Sequence, residues 1–337
     1  MSNVESTKKI SEIMMLPLAA KALNVAAELG LADLLKEGSL DIDALALACN
    51  ADKTVLLNTL KVVELFGFFD VEDDRMISNN KHSMLLLSDH PQSMRHFCRL
   101  FGEEYYRGYE GLLHTCKTGD SGFKHIYDQT LYQYLESTPS RSSVYDLAMR
   151  DFSRPVGAEL ARVFPDMFSF AGSLMDIGGG SGVITAELLH RYEHLSGCIF
   201  DREEVCEQSW QYLPSDIHDR VEVCCGDFFD SIPSGYDIYL LKNVLHNWNT
   251  QSCKDILDTV ARSLENNRLL VIEPLVEDGE RSPRLLFNAL FQSVICEDGT
   301  HQRSLSDMEK LLAKSNLRVA RIAKLATGHT VMEVMKG

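Results

Sequence analysis

The sequence predicts an α/β protein: a doubly wound, mostly parallel sheet with an antiparallel C-terminal hairpin, preceded by a mainly α-helical winged-helix domain. From Ser173 onward, strand-like and helix-like segments alternate, which is typical of a parallel sheet with helices on both faces. The chain ends in two extended runs, at 317–325 and 330–336, which predict a hairpin. The first 100 residues instead combine short helices with one hairpin. The 337 residues therefore suggest three parts, predicted at 1–98, 99–165 and 166–337.

The N-terminal part, residues 1–98, is predicted to contain three helices and a hairpin. One apolar helical face ends at Gly30, and a second short helix surrounds residues 45–49. Asp52 is expected to cap a third helix that ends at Gly67. Two short strands are then predicted around a turn at Asp73-Asp74. Three helices followed by a hairpin predict a winged helix.

A winged helix raises the possibility of DNA binding, and charge argues against it. The first 100 residues contain 10 Lys and Arg but 14 Asp and Glu, and the third helix has only Lys53 and Lys61 as cations. A DNA-reading helix is expected to be basic and polar on its exposed face. We therefore favour a domain that forms a homodimer.

Whole-chain composition excludes several other classes. The net charge of −16 repels nucleic acid and anionic lipid surfaces. No apolar run approaches the ~20 residues of a membrane span, and the first ten residues are too polar for a secretion signal. The nine cysteines include no CxxC pair, which argues against a zinc site and fits reduced thiols. The expectation is a soluble cytoplasmic protein that contains no metal and binds neither nucleic acid nor membrane.

Residues 99–165 are predicted to be mostly helical and to contribute to a substrate pocket. Apolar residues repeat at helical spacing from Val144 to Phe152, and Pro155 is expected to mark a helix boundary. Tyrosines are dense between residues 105 and 134. Most of them fit core packing, and some could line a pocket for a flat aromatic substrate.

In the C-terminal part, the predicted strands are 173–177, 197–200, 221–225, 238–241 and 269–272. Between the first strand and the next helix lies a glycine-rich turn, Asp176 to Gly182. Ligands bind at such turns because these lie at the carboxyl ends of parallel strands. Gly178 and Gly180 match the first two glycines of a dinucleotide fingerprint, but Val183 stands where the third is expected. The turn therefore fits a ligand without a pyrophosphate better than a nicotinamide cofactor.

Polar side chains follow the next three strands in order. Asp201 follows the second strand, where a carboxylate can accept both ribose hydroxyl protons. Asp227 follows the third strand, where it can accept from an adenine amino group while Phe228 packs on the ring. Lys242 and Asn243 close the fourth strand. Each alone is compatible with a surface charge or a helix cap, but the series at successive strand ends indicates a cofactor site.

These residues resemble the class I methyltransferases that use S-adenosylmethionine, and more closely the small-molecule O-methyltransferases of the caffeic acid and acetylserotonin type. The resemblance covers nearly the whole chain and is carried by LMDIGGGSG at 174–182, GDFFDSIPSGYDIYLLKNVLHNW at 226–248 and LLVIEP at 269–274. The family is dimeric. The resemblance implies S-adenosylmethionine as cofactor, held by Asp176, Gly178, Gly179, Gly180, Asp201, Arg202, Gly226, Asp227, Phe228, Lys242 and Asn243.

The same resemblance makes His246 the catalytic base. A phenol has a pKa of about 10 and is mostly protonated at neutral pH, so a histidine that takes its proton would assist methyl transfer. Glu273, at the end of the fifth strand, could orient and stabilise the imidazole. Two positions depart from the family: Asn247 replaces a frequent aspartate, and Gln302 replaces a supporting glutamate. Since Gln302 supplies no negative charge, the base is expected to be weaker than usual.

The acceptor is expected to be an aromatic hydroxyl compound of specialised metabolism. Its candidate binding residues are Met149, Phe152, Trp248, Asn288, Phe291 and Gln292. Each also fits core packing. Alternative activities are N-methyl transfer, a non-methylating hydroxylation or a pericyclic reaction by a relative that keeps the cofactor, and metal-dependent catechol methylation, which the N-terminal domain disfavours.

Overall fold

A computed structural model describes residues 3–277 and 282–337. The chain divides into two compact units, Met1–Tyr106 and Arg107–Gly337. The three-part division, with boundaries after residues 98 and 165, remains a prediction.

The first unit has the winged-helix arrangement that the sequence predicts. Its three short strands form an antiparallel sheet in the order β1-β3-β2, in which Val71 pairs with Ile77. Asp41 and Asp52 cap the helices that follow them, because their carboxylates accept the backbone N–H of Asp43 and Val55. The elements are α1 (Asn3–Glu28), α2 (Leu31–Leu34), β1 (Leu40–Asp41), α3 (Ile42–Ala48), α4 (Lys53–Glu64), β2 (Asp70–Glu72), β3 (Met76–Ser78) and α5 (Arg95–Leu100).

Helix α1 exposes an apolar surface over its first five turns. The exposed side chains, each at least half accessible, are Val4, Ile10, Ile13, Met14, Met15, Leu16 and Leu18. Within the described residues, the segment Val4–Glu28 is long and apolar enough to cross a membrane by length and composition. One such helix is weak evidence, because core helices of soluble proteins pass the same test.

Residues 106–170 are mostly helical, in agreement with the sequence. The helices are α6 (Tyr106–Gly108), α7 (Leu112–Thr118), α8 (Gly122–Tyr127), α9 (Leu131–Ser137), α10 (Pro139–Val163) and α11 (Pro165–Phe170). The prediction that Pro155 ends a helix is wrong, because α10 continues through it. Burial on both sides explains the continuation: Asp151 before the proline and Val156 after it are both buried, and Gly157 packs closely against Glu187 of the next helix.

The second unit contains a seven-stranded sheet in the order β6-β5-β4-β7-β8-β10-β9. Strands β4 to β8 are parallel, while β10 is antiparallel to both β8 and β9, so the predicted C-terminal hairpin is confirmed. The strands are β4 (Ser173–Ile177), β5 (Ser196–Asp201), β6 (Val221–Cys225), β7 (Ile238–Lys242), β8 (Arg268–Glu273), β9 (Leu317–Lys324) and β10 (Thr330–Lys336). The helices are α12 (Val183–Arg191), α13 (Glu203–Tyr212), α14 (Thr250–Leu264), α15 (Pro283–Ile295) and α16 (Leu305–Ala313).

Helices cover both faces of this sheet, which is the doubly wound arrangement. On one face, Leu174 and Leu240 pack with Phe164 and Phe168 from the preceding helices. On the other face, Tyr239 and other strand residues pack with α14 and α16. The strand order changes direction between β4 and β7, and such a switch point is where open α/β sheets bind ligands.

Candidate active site

A cavity of about 230 Å³ lies at the carboxyl ends of β4 to β7. Every residue predicted to bind the cofactor lines it, together with Met149 and Trp248. Tyr132 of α9, one of the tyrosines of which some were expected to line a pocket, also lies in the lining, as does Phe229. Residues that the sequence did not single out line it as well, among them Tyr145, Asp146, Arg150 and Ser153 of α10. Their spacing in α10 places them on one helical face, and this pattern could have identified them.

The glycine-rich turn adopts a backbone that glycine favours. Gly178, Gly180 and Gly182 have φ values of 70°, 55° and 72°. The Gly178 N–H donates to the Phe200 carbonyl at 2.7 Å, which ties the turn to β5. A Cβ at Gly182 would lie 2.3 Å from Ile199 Cδ1, so the start of α12 packs closely on the sheet. The turn therefore presents the backbone of three successive glycines to the cavity.

Asp201 links this turn to the end of β5. Its Oδ2 accepts the Gly180 N–H at 2.9 Å, and its Oδ1 accepts the Arg202 N–H at 2.8 Å. Burial raises the pKa of Asp201, and these two backbone hydrogen bonds oppose the rise. Each carboxylate oxygen accepts one backbone N–H, so it keeps capacity for a ligand hydroxyl.

The loop after β6 brings Gly226 and Asp227 to the same cavity. Gly226 donates its N–H to the Asp201 carbonyl at 2.9 Å, and a Cβ there would lie 2.6 Å from the Phe200 ring. Asp227 is exposed and accepts the Phe229 N–H at 2.8 Å. Only glycine fits at 226 without displacing Phe200, and this close approach places the neighbouring carboxylate at the cavity wall.

Aromatic side chains form one side of the cavity. The rings of Tyr132 and Trp248 stack with centroids 5.3 Å apart and an interplanar angle of 15°. Phe229 meets Trp248 edge-on at 4.9 Å, and Phe228 does so at 6.1 Å. The Arg202 guanidinium lies 5.4 Å from the centre of the Tyr132 ring. This wall suits a flat ring, such as adenine or an aromatic acceptor.

Lys242 and Asp176 are buried charges at the base of the cavity. Lys242 Nζ donates to Ser153 Oγ at 2.6 Å and lies 5.8 Å from the centre of the Phe152 ring. Burial lowers the pKa of Lys242 to about 8, although Glu273 and Asp176 oppose the shift. Burial also raises the pKa of Asp176 to about 6, opposed chiefly by its hydrogen bond from Thr185.

Asn243 is held in a left-handed backbone conformation with φ 54°. Its side-chain oxygen lies 3.1 Å from Nε2 of the buried His329. Burial lowers the pKa of His329 to about 3, so this histidine is neutral and can donate to the asparagine. His329 comes from the turn between β9 and β10 and was missed from the sequence, because only the fold brings this turn to the end of β7.

His246 and Glu273 form a pair on the turn after β7. His246 Nδ1 lies 2.8 Å from Glu273 Oε2, while Glu273 Oε1 accepts the Leu245 N–H at 2.8 Å. Glu273 is only 1% exposed, so its carboxylate is fixed by these two contacts. Because the Glu273 contact uses Nδ1, Nε2 is the ring nitrogen available to take a proton.

Arg303 supports this turn and was also missed from the sequence. Its guanidinium donates to the Leu245 carbonyl at 2.9 Å and to the Trp248 carbonyl at 2.7 Å, on either side of His246. Asn247 donates to the Asn243 carbonyl at 3.1 Å and accepts from the Cys296 thiol at 3.4 Å. The segment that carries His246 is therefore fixed by side chains from the C-terminal half of the chain.

The remaining predicted residues lie outside the cavity lining. Asn288, Phe291 and Gln292 belong to α15, where Gln292 is buried and its Oε1 has no hydrogen-bond partner among the described residues. Gln302 precedes Arg303, and its buried Nε2 likewise has no partner in the described part of the chain. Phe152 is absent from the lining but contacts Lys242 through its ring face.

Together, a doubly wound sheet with an antiparallel hairpin, a glycine-rich turn and a series of carboxylates at strand ends define a class I methyltransferase that uses S-adenosylmethionine. The donor set fits this cofactor: it offers acceptors for hydroxyl and amino groups, an aromatic wall, and carboxylates that favour a cation.

Comparison with known proteins identifies the family. Residues 109–317 match the O-methyltransferase domain family, so the chain belongs to that family. It is 31% identical to the mitomycin biosynthesis 6-O-methyltransferase of Streptomyces lavendulae, over 95% of this chain and 91% of that protein. The structure of the mitomycin 7-O-methyltransferase MmcR is similar, with a TM-score of 0.90, 31% identity and coverage of 99% and 98%. The structure of the O-methyltransferase NcsB1, from neocarzinostatin biosynthesis, is also similar, with a TM-score of 0.78, 25% identity and 96% coverage of both chains. It was solved in complex with S-adenosylmethionine and a naphthoic acid.

Proposed function

We propose that this enzyme transfers the methyl group of S-adenosylmethionine to a hydroxyl of an aromatic small molecule of specialised metabolism, with His246 as general base. The observation that carries the proposal is the 2.8 Å contact between His246 and the buried Glu273. His246 lies between Val244 and Trp248, which both line the cavity. The relatives named for mitomycin and the structure with a bound naphthoic acid support an aromatic acceptor.

The cofactor, when bound, supplies an activated methyl group on a sulfonium. Asp201 would hold the ribose hydroxyls and Asp227 the adenine amino group, with Phe228 against the ring. Gly178, Gly179 and Gly180 would offer backbone to the methionine part, with Asp176, Lys242 and Asn243 below them. The Arg202 N–H would fix the Asp201 carboxylate, and the Gly226 N–H, which donates to the Asp201 carbonyl, would fix the start of the loop that carries Asp227.

His246 would accept the proton of the acceptor hydroxyl at Nε2 as the oxygen attacks the methyl group. Glu273 would keep the Nδ1 proton in place and stabilise the imidazolium that forms, which is the same physical logic as the buried aspartate of a serine-protease triad. Gln302 would act only as an orienting group, since an amide supplies no charge. Because Glu273 is then the single carboxylate that supports His246, this base suits an acceptor whose hydroxyl is already acidic.

The acceptor pocket is proposed from residues of two kinds. Met149 and Trp248 line the described cavity, and Phe152 adjoins it through Lys242. Asn288, Phe291 and Gln292 on α15 would complete the site. The buried Gln292 Oε1 would then accept a hydrogen bond from the acceptor, which would satisfy an otherwise unpaired polar group.

The proposed activity is tested by incubating the enzyme with a panel of phenols and measuring the release of S-adenosylhomocysteine.

We also propose that the reaction needs no metal. Among the described residues, the one convergent group of possible metal ligands is Cys198, Glu222 and Cys224, and none of them lines the cavity. Turnover of at least one phenol is expected, unchanged by a chelator. Turnover that a chelator abolishes and added Mg²⁺ restores would contradict the metal-free reaction.

We also propose that the chain forms a homodimer through its N-terminal unit. The exposed apolar side chains of α1 are the reason, because such a surface marks an interaction site. A double substitution, Met14→Glu with Leu18→Glu, should produce a monomer in light scattering coupled to size exclusion. The matched control Val55→Glu changes an exposed apolar residue of α4 and should remain dimeric. A wild-type monomer at micromolar concentration would contradict the proposal.

A further inference from the structure

We propose that Asp146 selects the cationic cofactor over its neutral product: its carboxylate favours the binding of S-adenosylmethionine over S-adenosylhomocysteine. The inference rests on the cofactor assigned above. It gives a role to a side chain of the cavity wall that neither the cofactor assignment nor the acid–base mechanism uses.

Asp146 is a buried acidic residue in the wall of the cavity. It lies on α10, is 5% exposed and lines the same cavity as Asp201 and Arg202. Its Oδ2 is buried and has no hydrogen-bond partner among residues 3–277 and 282–337. A buried carboxylate oxygen without a donor is unfavourable, and a positive charge nearby relieves that cost. The unpaired carboxylate oxygen therefore favours a cationic ligand at this wall of the cavity.

The charged and titratable groups around Asp146 support this reading. Asp201 opposes its ionisation, while Arg202 and a hydrogen bond from Ser142 favour it. Tyr212 of α13 also faces it, and Arg150 of the same helix lies over the Tyr212 ring. Burial dominates and raises the pKa of Asp146 to about 7. Near neutral pH the carboxyl group is thus partly protonated, and a bound cation would favour the ionised form.

Charge distinguishes the two ligands more than shape does. The ammonium and carboxylate of the methionine part are common to both and cancel each other. Methyl transfer breaks the bond between sulfur and the methyl carbon, and the electron pair remains on sulfur, which becomes neutral. The acceptor proton moves to His246. Two unit charges within about 10 Å change a binding constant by about tenfold at an effective dielectric constant of about 20, so Asp146 can favour exchange of product for fresh cofactor.

The test is calorimetric titration of Asp146→Asn with each ligand. This substitution keeps the shape and removes the charge. We expect S-adenosylmethionine to bind about 10-fold more weakly and S-adenosylhomocysteine to change by less than about 3-fold. Asp219→Asn is the matched control, because it changes the net charge equally at an exposed site outside the cavity. Equal weakening of both ligands, or no weakening, would overturn the proposal.

Proton release provides a second measurement that needs no variant. Because a cation favours the ionised carboxylate, S-adenosylmethionine should bind wild-type protein with more proton release near pH 6.5 than S-adenosylhomocysteine does. The preference for S-adenosylmethionine should therefore rise with pH through about 7. Titrations in buffers of different ionisation enthalpy measure this release, and equal release for both ligands would refute the proposal. Failure of wild-type protein to bind either ligand would instead contradict the proposed function.

Discussion

Replacement of His246 by alanine should reduce methyl transfer by about 10²–10⁴-fold, the usual contribution of a general base. The variant loses the imidazole that we propose as acceptor of the substrate proton, while the turn keeps its backbone hydrogen bonds from Arg303. Cofactor affinity should be unchanged, since His246 does not line the described cavity. Steady-state turnover with a methylated phenol and calorimetry with S-adenosylmethionine measure the two quantities separately.

His190→Ala is the matched control for this variant, because His190 is a surface residue of α12 whose side chain contacts Asp216. It should retain full activity. If His246→Ala also retains full activity across pH 6 to 9, the histidine is not a base and positioning alone accounts for the reaction. If it loses cofactor binding as well, the loss of turnover reports a structural role.

Replacement of Asp201 by alanine should weaken S-adenosylmethionine binding by about 100-fold. The variant removes the carboxylate for which we propose two charge-assisted hydrogen bonds to the ribose, each typically worth about 1.5–3 kcal/mol, part of which water regains. It also leaves the N–H groups of Gly180 and Arg202 without their acceptor, so the glycine turn loosens. Turnover at saturating cofactor should fall much less than affinity.

Asp201→Asn distinguishes the loss of ribose hydrogen bonds from the loosening of the glycine turn. The asparagine side-chain oxygen can still accept one of the two backbone N–H groups, from Gly180 or Arg202. This variant should lose less affinity than the alanine variant. Thermal unfolding of both variants verifies that the second unit remains folded. Unchanged affinity for S-adenosylmethionine in Asp201→Ala would show that Asp201 does not bind the ribose. It would also contradict the orientation proposed for the cofactor.

Local sequence patterns predicted the sheet because each strand is a short apolar run that ends at a polar residue or glycine. Strands β4, β6 and β10 have the predicted bounds, and Asp52 caps its helix as expected. The predicted cofactor residues share one cavity for a topological reason: parallel strands place their carboxyl ends at the same edge.

Long-range packing explains what the sequence did not predict. Pro155 disfavours a helix locally, but burial around it keeps α10 continuous. His329 and Arg303 reach the site from the last third of the chain, and no local pattern marks such contacts. The relation of the α15 residues to the acceptor depends on a pocket shape that only a bound acceptor defines.

Methyl transfer to oxygen is tested most directly by following a labelled methyl group. The enzyme is incubated with an accepted phenol and S-adenosylmethionine that carries a trideuterated methyl group, and the products are analysed by mass spectrometry. We expect one trideuterated methyl group on the acceptor oxygen for each S-adenosylhomocysteine released. An acceptor methylated on nitrogen, or a converted acceptor without label while the cofactor is recovered intact, would contradict it.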